Sequence, residues 1–189
     1  MAQSSTTISS QRDHKVNITG TDISFVASTK TISAVSTALA NLAVYDVITV
    51  TGTSLNNSTF TVASVATNGL SITVQETVAN ETAASFTTTI DYTGFVTNKY
   101  QGDGYYSQAD GVHTVAYHVL ATLTGAVKMQ GSLATTPTES DWFDIAGTTF
   151  TTDLSTTIFS ANFTGNFVWV RAKATGVTAG SVMKILYNH

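Results

Sequence analysis

The chain has 189 residues and a formal net charge of −4, and only 11% of its residues are charged, against roughly 25% in an ordinary soluble domain. Its Lys and Arg residues are scattered singly, which argues against nucleic-acid binding because phosphate neutralisation needs clustered cations. Cysteine is absent, which excludes disulfides, thiolate zinc sites and cysteine nucleophiles, and weak charge repulsion favours assembly with copies or partners.

Residues 1 to 20, MAQSSTTISSQRDHKVNITG, are polar and show neither a strand nor a helix period over most of their length. They lack the apolar core of a signal peptide, and no run in the chain approaches about 18 apolar residues, so we expect neither signal-peptide secretion nor membrane insertion. We predict an extended arm that is disordered in the free protein. A partner surface would order it through Ile8, Val16 and Ile18, as in strand addition.

Residues 21 to 92 alternate apolar and polar side chains, which predicts half-buried strands. In GLSITVQE, Leu70, Ile72 and Val74 share one face, and STFTVAS and DVITVTG repeat the pattern. GTSLNNS and ATNG supply the Gly, Asn and Ser residues typical of tight turns. We predict a small β-barrel or β-meander module.

Residues 93 to 111 lose this alternation and are rich in Gly and Tyr, which predicts a linker between domains. Alternation resumes over residues 112 to 189, where GVHTVAYHVLATLTG places Val115, Tyr117 and Val119 on one face. Further strands are predicted at AVKMQGSL, DWFDIAG, TTIFSANFTG, FVWVRAKAT and SVMKILYNH. The second block is predicted to be a β-sandwich, so the fold class is all-β, with two small β-domains after an extended arm.

The stretch SLATTPTESDWFDIAG concentrates Glu139, Asp141 and Asp144 in a chain that is otherwise poor in charge. Paired carboxylates can act as an acid and a base when they lie about 5 to 9 Å apart. Pro137 and Thr138, however, indicate a turn that leads into a strand, where acidic residues are ordinary turn and solvent-face residues. The spacing also lacks the pattern of a calcium loop, so we predict neither a catalytic nor a metal role.

Histidine gives no better evidence for catalysis. His113 and His118 are five residues apart, which places them on opposite faces of a strand, and His14 and His189 lie in the tails. No zinc-protease, hydrolase or phosphate-loop motif is present. We therefore predict a protein that is not an enzyme and that needs no metal or other cofactor.

The aromatic residues leave three interpretations open. In FVWVRAK, Trp169, Arg171 and Lys173 share one face and the valines take the other, so valines in the core would expose Trp169 beside two cations, an arrangement that suits a protein interface. Strand Trp and Phe residues are also common in cores. The third interpretation is a sugar-stacking platform formed by four aromatic residues, Tyr105, Tyr106, Trp142 and Trp169.

The segment ISFVASTKTISAVSTALANLAVYDVITVTGTSLNNSTFTVASVATNGLSITVQETVANETA resembles a small β-module of the structural proteins of tailed bacteriophages. In that module a strand ends in Gly-Asp, an Asn and Gly turn follows, and strands like TFTV and ITV.E close the unit. This chain has Tyr45 before Asp46 where a Gly is expected, and Ser58 at a usual turn Gly. The block from GAVKMQGSLATTPTESDWFDI to NFTGNFVWVRAKATG is similar to sandwich modules of phage virion proteins.

The resemblance implies a non-enzymatic structural protein on the exterior of a phage particle. Two compact domains after a polar arm fit a capsid decoration or cement protein, whose partners would be the major capsid protein or other virion proteins. The alternative is a fibre, neck or tail module that binds a receptor or a host surface glycan, with Tyr105, Tyr106 and Trp169 as its platform. Low charge and the face of Trp169 further predict a homo-oligomer, with a trimer favoured.

Overall fold

A computed structural model describes residues 5–83, 87–106, 111–152 and 155–188. Within these ranges the chain consists of β-strands, short 3-10 helices and connecting segments, and it has no α-helix. No helix there is long and apolar enough to cross a membrane. The strands form two antiparallel sheets, and neither closes into a barrel. The predicted all-β class is therefore confirmed, whereas the barrel alternative for residues 21 to 92 is wrong.

The seventeen strands of the described residues range from two to eleven residues in length. In chain order they are β1 (Ser5–Ser9), β2 (Arg12–Asp13), β3 (Ile18–Gly20), β4 (Ile23–Val26), β5 (Thr31–Ala34), β6 (Asp46–Thr51), β7 (Thr59–Val65), β8 (Ser71–Val74), β9 (Thr88–Val96), β10 (Tyr100–Gln101), β11 (Val112–Val119), β12 (Thr124–Ser132), β13 (Phe143–Asp144), β14 (Phe150–Thr151), β15 (Ile158–Thr164), β16 (Trp169–Ala179) and β17 (Ser181–Asn188). The 3-10 helices span Ala27–Thr29, Asp103–Tyr106 and Glu139–Asp141.

The chain divides into two compact units. One, here called the N-unit, is Lys15–Phe95, and the other, the C-unit, combines Met1–His14 with Val96–His189. These bounds differ from the sequence expectation at two places. The first residues of the expected arm belong to the C-unit, and so does most of the expected linker, because backbone groups of both segments pair with strands of that unit.

The N-unit is built around the strand order β9-β6-β7-β8-β5-β4, with β3 beside β9. β6, β7 and β8 follow one another along the chain and pair in sequence order, which is the predicted meander. The alternation that predicted these strands matches their burial, since Ile48, Val50, Ile72 and Val74 are all buried. Their side chains form one apolar core with residues of the other strands.

A sharp backbone turn precedes β6. Tyr45, which stands where the resembling module has Gly, adopts a left-handed conformation with φ of 71°, a region that non-glycine residues rarely occupy. Its amide donates to the carbonyl of Val62 at 2.7 Å. The next residue, Asp46, is fully buried, and its carboxylate accepts from the amide of Ala43 and lies 3.1 Å from Lys15 Nζ. The contacts of Tyr45 and Asp46 thus hold the turn in place.

The C-unit contains a five-stranded sheet in the order β1-β17-β11-β15, with β2 also pairing with β17. It also contains β13, β12 and β16 in that order, with β14 beside β12 and β10 beside β16. Tyr117 of β11 is fully buried and donates to the carbonyl of Thr148 at 2.9 Å, while Thr148 Oγ1 accepts from the amide of Met129 in β12. Phe159 of β15 stacks on Phe150 of β14 with ring centroids 5.3 Å apart. These contacts join the two groups of strands across a shared apolar interior.

Candidate functional site

Four side chains of the C-unit form a cluster, of which three are exposed and one is half-buried. The ring centroids of Tyr105 and Trp169 lie 5.0 Å apart at an interplanar angle of 59°, and those of Tyr105 and Tyr106 lie 5.1 Å apart at 77°. Lys99 Nζ lies 4.3 Å from the Trp169 ring centroid, which is within cation–π range. We call Lys99, Tyr105, Tyr106 and Trp169 the aromatic–cation cluster.

The indole of Trp169 is held in place by a hydrogen bond. Trp169 is half-buried, and its Nε1 donates to the carbonyl of Thr135 at 2.9 Å. The side chains of Tyr105 and Tyr106 are 46% and 50% exposed to solvent. The sequence-based grouping of Tyr105, Tyr106 and Trp169 therefore corresponds to a real spatial cluster, although the inclined rings do not form one flat platform.

The two tyrosines lie in the 3-10 helix Asp103–Tyr106, which is held close to the segment that leads into β16. β10 pairs with the start of β16, and beyond it the amides of Gly102 and Gly104 donate to the carbonyls of Val168 and Phe167. The backbones approach so closely that a Cβ at Gly104 would lie 2.6 Å from the carbonyl oxygen of Asn166. The Gly residues of this segment, which suggested a linker, instead allow it to pack closely against residues 166–168, which lead into β16.

Arg171 lies on the same face of β16 as Trp169 but is only 5% exposed. Its guanidinium donates two bonds to Glu139, at 2.6 and 2.8 Å, and its Nε donates to Gln130 Oε1 at 2.9 Å. Its Cζ also lies 4.3 Å from the ring centroid of Trp142. Arg171 was expected on an interaction surface, and it is instead buried, because Glu139 and Trp142 cover it.

Lys173 is the third residue of the predicted face. It is half-buried and faces Lys128 across the β12–β16 pair. Lys128 donates to Asp144 at 2.6 Å. Alternation along β16 therefore correctly places Trp169, Arg171 and Lys173 on one face, but only Trp169 belongs to the aromatic–cation cluster.

The acidic stretch has a structural explanation, with a different role for each carboxylate. Glu139 holds Arg171, and Asp144 accepts from Lys128 and from Gln130 at 2.9 Å. Asp141 accepts from the amide and the hydroxyl of Thr138, which closes a capping box on the 3-10 helix Glu139–Asp141. All three carboxylates are thus engaged in bonds that fix this loop.

The electrostatics follow from these bonds. The hydrogen bonds from Arg171 lower the pKa of Glu139 although partial burial opposes them. The bonds from Thr138 lower the pKa of Asp141. For Asp144, desolvation raises the pKa, but the bonds from Lys128 and Gln130 outweigh it, so the net shift is downward. A general acid needs a raised pKa, whereas these shifts keep all three groups ionised.

The three predicted anchors of the arm occupy different environments. Ile8 in β1 is 5% exposed, and β1 pairs with β17, so residues 5–9 are held by their own unit. Ile18 in β3 pairs with Ile90 in β9 and packs against the N-unit core. Val16, between them, is 82% exposed. The expectation that a partner surface orders residues 5–9 is therefore not needed, because backbone pairing with β17 holds them without many apolar side chains.

The histidines of β11 lie on opposite faces of the strand, as their spacing predicts. His113 is fully buried, stacks on Phe163 and Tyr187, and has its Nδ1 2.9 Å from the Tyr187 hydroxyl. His118 is only half-buried, and desolvation together with the charge of Lys184 lowers its pKa. Over the described residues no group of three His, Cys, Asp or Glu side chains could hold a metal ion.

One member of the aromatic–cation cluster was missed from the sequence, and one residue predicted for the aromatic platform lies elsewhere. Lys99 precedes the tyrosines but is distant along the chain from Trp169, and only the pairing of β10 with β16 brings them together. Trp142 was assigned to a possible sugar platform, whereas it stacks on Arg171. Neither partnership has a signal in sequence spacing, because both depend on contacts between distant segments.

No family model matches the chain, and no curated protein or solved structure is significantly similar to it.

Proposed function

We propose that the chain is a non-enzymatic structural protein of the exterior of a tailed-phage particle, most specifically a capsid decoration or cement protein. The observation that carries this proposal is that charged side chains of the C-unit bond to other side chains of the same unit. Glu139, Asp144 and Arg171 are engaged in bonds that fix loops against strands. Such an arrangement supports a durable scaffold rather than a reacting centre, and it requires no cofactor.

The C-unit supports the proposal in a second way. We infer that its two groups of strands form the β-sandwich expected from the sequence, with Tyr117, Phe150 and Phe159 in its interior. A sandwich of this kind exposes loops and edges for contacts with neighbours while its core stays closed. That division suits a protein whose task is to bind and brace a larger assembly.

The aromatic–cation cluster is the proposed contact surface for the major capsid protein or another virion protein. Aromatic residues are enriched at the centres of protein interfaces, where rigid rings contribute much of the binding energy. Trp169 is already fixed by its bond to Thr135, so little side-chain freedom would be lost there on binding. Tyr105 and Tyr106 supply the apolar area that a partner would cover.

The test uses particles of the virus that encodes the chain, assembled without it. Purified protein is added, and bound protein is measured after the particles are sedimented. We expect saturable binding that raises the temperature at which the particles release their genome. The double variant Tyr105→Ala/Tyr106→Ala should bind at least ten-fold more weakly, whereas Leu133→Ala, which removes an exposed apolar side chain of the same unit, should bind normally. Particles that bind none of these proteins would refute the proposal.

A second candidate function is the binding of a host surface glycan, and the half-exposed rings of Tyr105 and Tyr106 favour it. Their interplanar angle of 77° forms a corner rather than a plane, and Lys99 lies close to it. Aromatic rings can stack on the apolar faces of sugars, as they do on other flat apolar groups. A glycan array with the wild-type chain and the Tyr105→Ala/Tyr106→Ala variant distinguishes the two functions, because only glycan binding would give signals that the variant loses.

A further inference from the structure

We propose that two copies of this chain associate through β15, pairing edge to edge and antiparallel about a two-fold axis. β15 is the last strand of the five-stranded sheet, and β11 is its only strand partner among the described residues. A strand in that position has one row of backbone donors and acceptors directed away from the sheet, which is a template for another strand. This inference does not depend on the proposed function.

The chemistry of β15 makes it an unprotected edge. Its seven residues, Ile158 to Thr164, include no charged residue and no proline, and these are the features by which edge strands usually prevent pairing. The edge strand of the N-unit differs. There Phe25 in β4 exchanges two backbone hydrogen bonds with Glu81, and the amide of Ala27 donates to Asn80, so a passing segment covers β4.

The side chains on the inner side of β15 also indicate a missing neighbour. Phe163 is buried, but Phe159 and Ala161 are only half-buried, although Phe159 stacks on Tyr117 and Phe150. These residues lie at the margin of the apolar interior, where the sheet ends. A further strand beside β15 would cover them and extend the interior across the interface.

The occupant that the residues favour is a second β15. Antiparallel pairing centred on Ala161 places each Ala161 opposite its counterpart in the partner and Phe159 opposite the partner's Phe163. On the outer side it places Ser160 opposite the partner's Asn162. Every cross-strand pair is then either apolar with apolar or polar with polar, apart from Ile158 with Thr164 at the ends, and no like charges meet. A two-fold contact of this kind closes on itself and produces a dimer.

The first experiment changes the charge of the outer side of the edge. Ser160 and Asn162 are exposed, and the variant Ser160→Lys/Asn162→Lys would place Lys opposite Lys at both pairs. Ser160→Glu/Asn162→Glu would do the same with Glu. By sedimentation equilibrium, wild type should have the mass of a dimer, and each variant alone should have the mass of a monomer. An equimolar mixture of the two variants should recover the dimer, because Lys then faces Glu.

Controls separate this result from misfolding and from a general effect of charge. Thr51→Lys/Ala63→Lys adds the same charge at two exposed positions on paired strands of the N-unit, and it should remain dimeric. A misfolded edge variant would not be rescued by mixing. A wild-type monomer at millimolar concentration would overturn the proposal, and so would a dimer or trimer whose mass is unaffected by the edge variants.

A second experiment reads the register directly. The chain has no cysteine, so Ala161→Cys introduces a single thiol, which the two-fold pairing places about 5 Å from its counterpart, measured between Cβ atoms. Mild oxidation should convert most of this variant to a disulfide-linked dimer. Thr178→Cys, on an exposed site of β16, should crosslink at least ten-fold more slowly. Equal rates for the two variants would contradict pairing centred on Ala161.

Discussion

The buried ion pair between Arg171 and Glu139 gives the most detailed prediction of stability. Arg171 is 5% exposed and depends on Glu139 and Gln130 for its hydrogen bonds. Breaking a buried pair typically costs about 3 to 5 kcal/mol. The Glu139 side chain is 43% exposed, so water can partly replace it, and we expect Glu139→Gln to cost about 1 to 2 kcal/mol.

The partner variant separates the charge from the packing. Arg171→Met keeps much of the apolar stem on Trp142 but leaves Gln130, which is also buried, without its donor, at a cost of about 1 to 2 kcal/mol. In the double variant Glu139→Gln/Arg171→Met no buried cation remains uncompensated. Its cost should therefore be smaller than the sum of the single costs by about 1 kcal/mol, which is the coupling between the two residues.

The assay is urea unfolding followed by tryptophan emission. The two tryptophans of the chain, Trp142 and Trp169, both lie in the C-unit, so the signal reports the unit that carries the ion pair. All variants should be compared at one protein concentration, because association changes apparent stability. Strict additivity, with a coupling within about 0.3 kcal/mol of zero, would refute the assignment of Arg171 and Glu139 as a coupled pair.

The pH dependence of the same coupling provides an independent check. The pKa of Glu139 in the folded chain is lowered from its ordinary value of 4.5, so the unfolded chain binds a proton more readily than the folded one. The stabilisation is therefore complete above about pH 4.5 and is lost as the pH falls through the folded pKa. The coupling measured from the four proteins should therefore be constant at neutral pH and should decrease as the pH falls below 4.5, and Glu139→Gln should show a shallower acid transition than wild type.

Three further predictions concern single side chains. Gly180→Ala should cost about 2 to 4 kcal/mol, because φ is +76° and the new Cβ would clash with the backbone nitrogen of Leu123. Gly147→Ala, with φ of +77° and nothing within 4 Å, should cost only about 1 to 2 kcal/mol, and equal losses in urea unfolding would contradict the close contact. Ile8→Ala should destabilise the C-unit by about 2 to 3 kcal/mol by tryptophan emission, whereas no change would mean that β1 is not docked. Hydrogen bonds from Thr37 and Ser36 lower the pKa of Asp22 far below 3.8, so its contribution is present above pH 3.8 and is lost on acidification below it. Hydrogen exchange of that loop should be faster in Asp22→Asn at pH 7, and equal exchange would show that the carboxylate does not hold the loop.

Local patterns predicted the strands well, because a half-buried strand records its two faces in adjacent residues. Val115, Tyr117 and Val119 alternate in the sequence and are all buried in β11. Alternation also placed Trp169 and Arg171 on one face of β16. It did not predict that Arg171 would be covered, since that depends on Glu139 in a loop that precedes β16 in the chain but folds over it.

The arm and the linker were harder for the same physical reason. Residues 5–9 look disordered by composition, but β17, from the other end of the chain, satisfies their backbone groups. Tyr100 and Gln101 lie in a segment without apolar alternation, and they still pair with β16. Backbone hydrogen bonds do not depend on the pattern of side chains. Strands that are held mainly by backbone pairing therefore show little apolar alternation in the sequence.

The most direct test of the proposed function is the location of the chain on the particle. Antibody raised against the purified protein is bound to virions of the encoding virus and detected by gold labelling in negative stain. We expect label at regular positions on the outside of the head, and none on particles made without the chain. Label confined to the tail or fibres would favour the receptor-binding alternative, and intact virions that carry no label and contain no copy of the chain would contradict a structural role on the exterior of the particle.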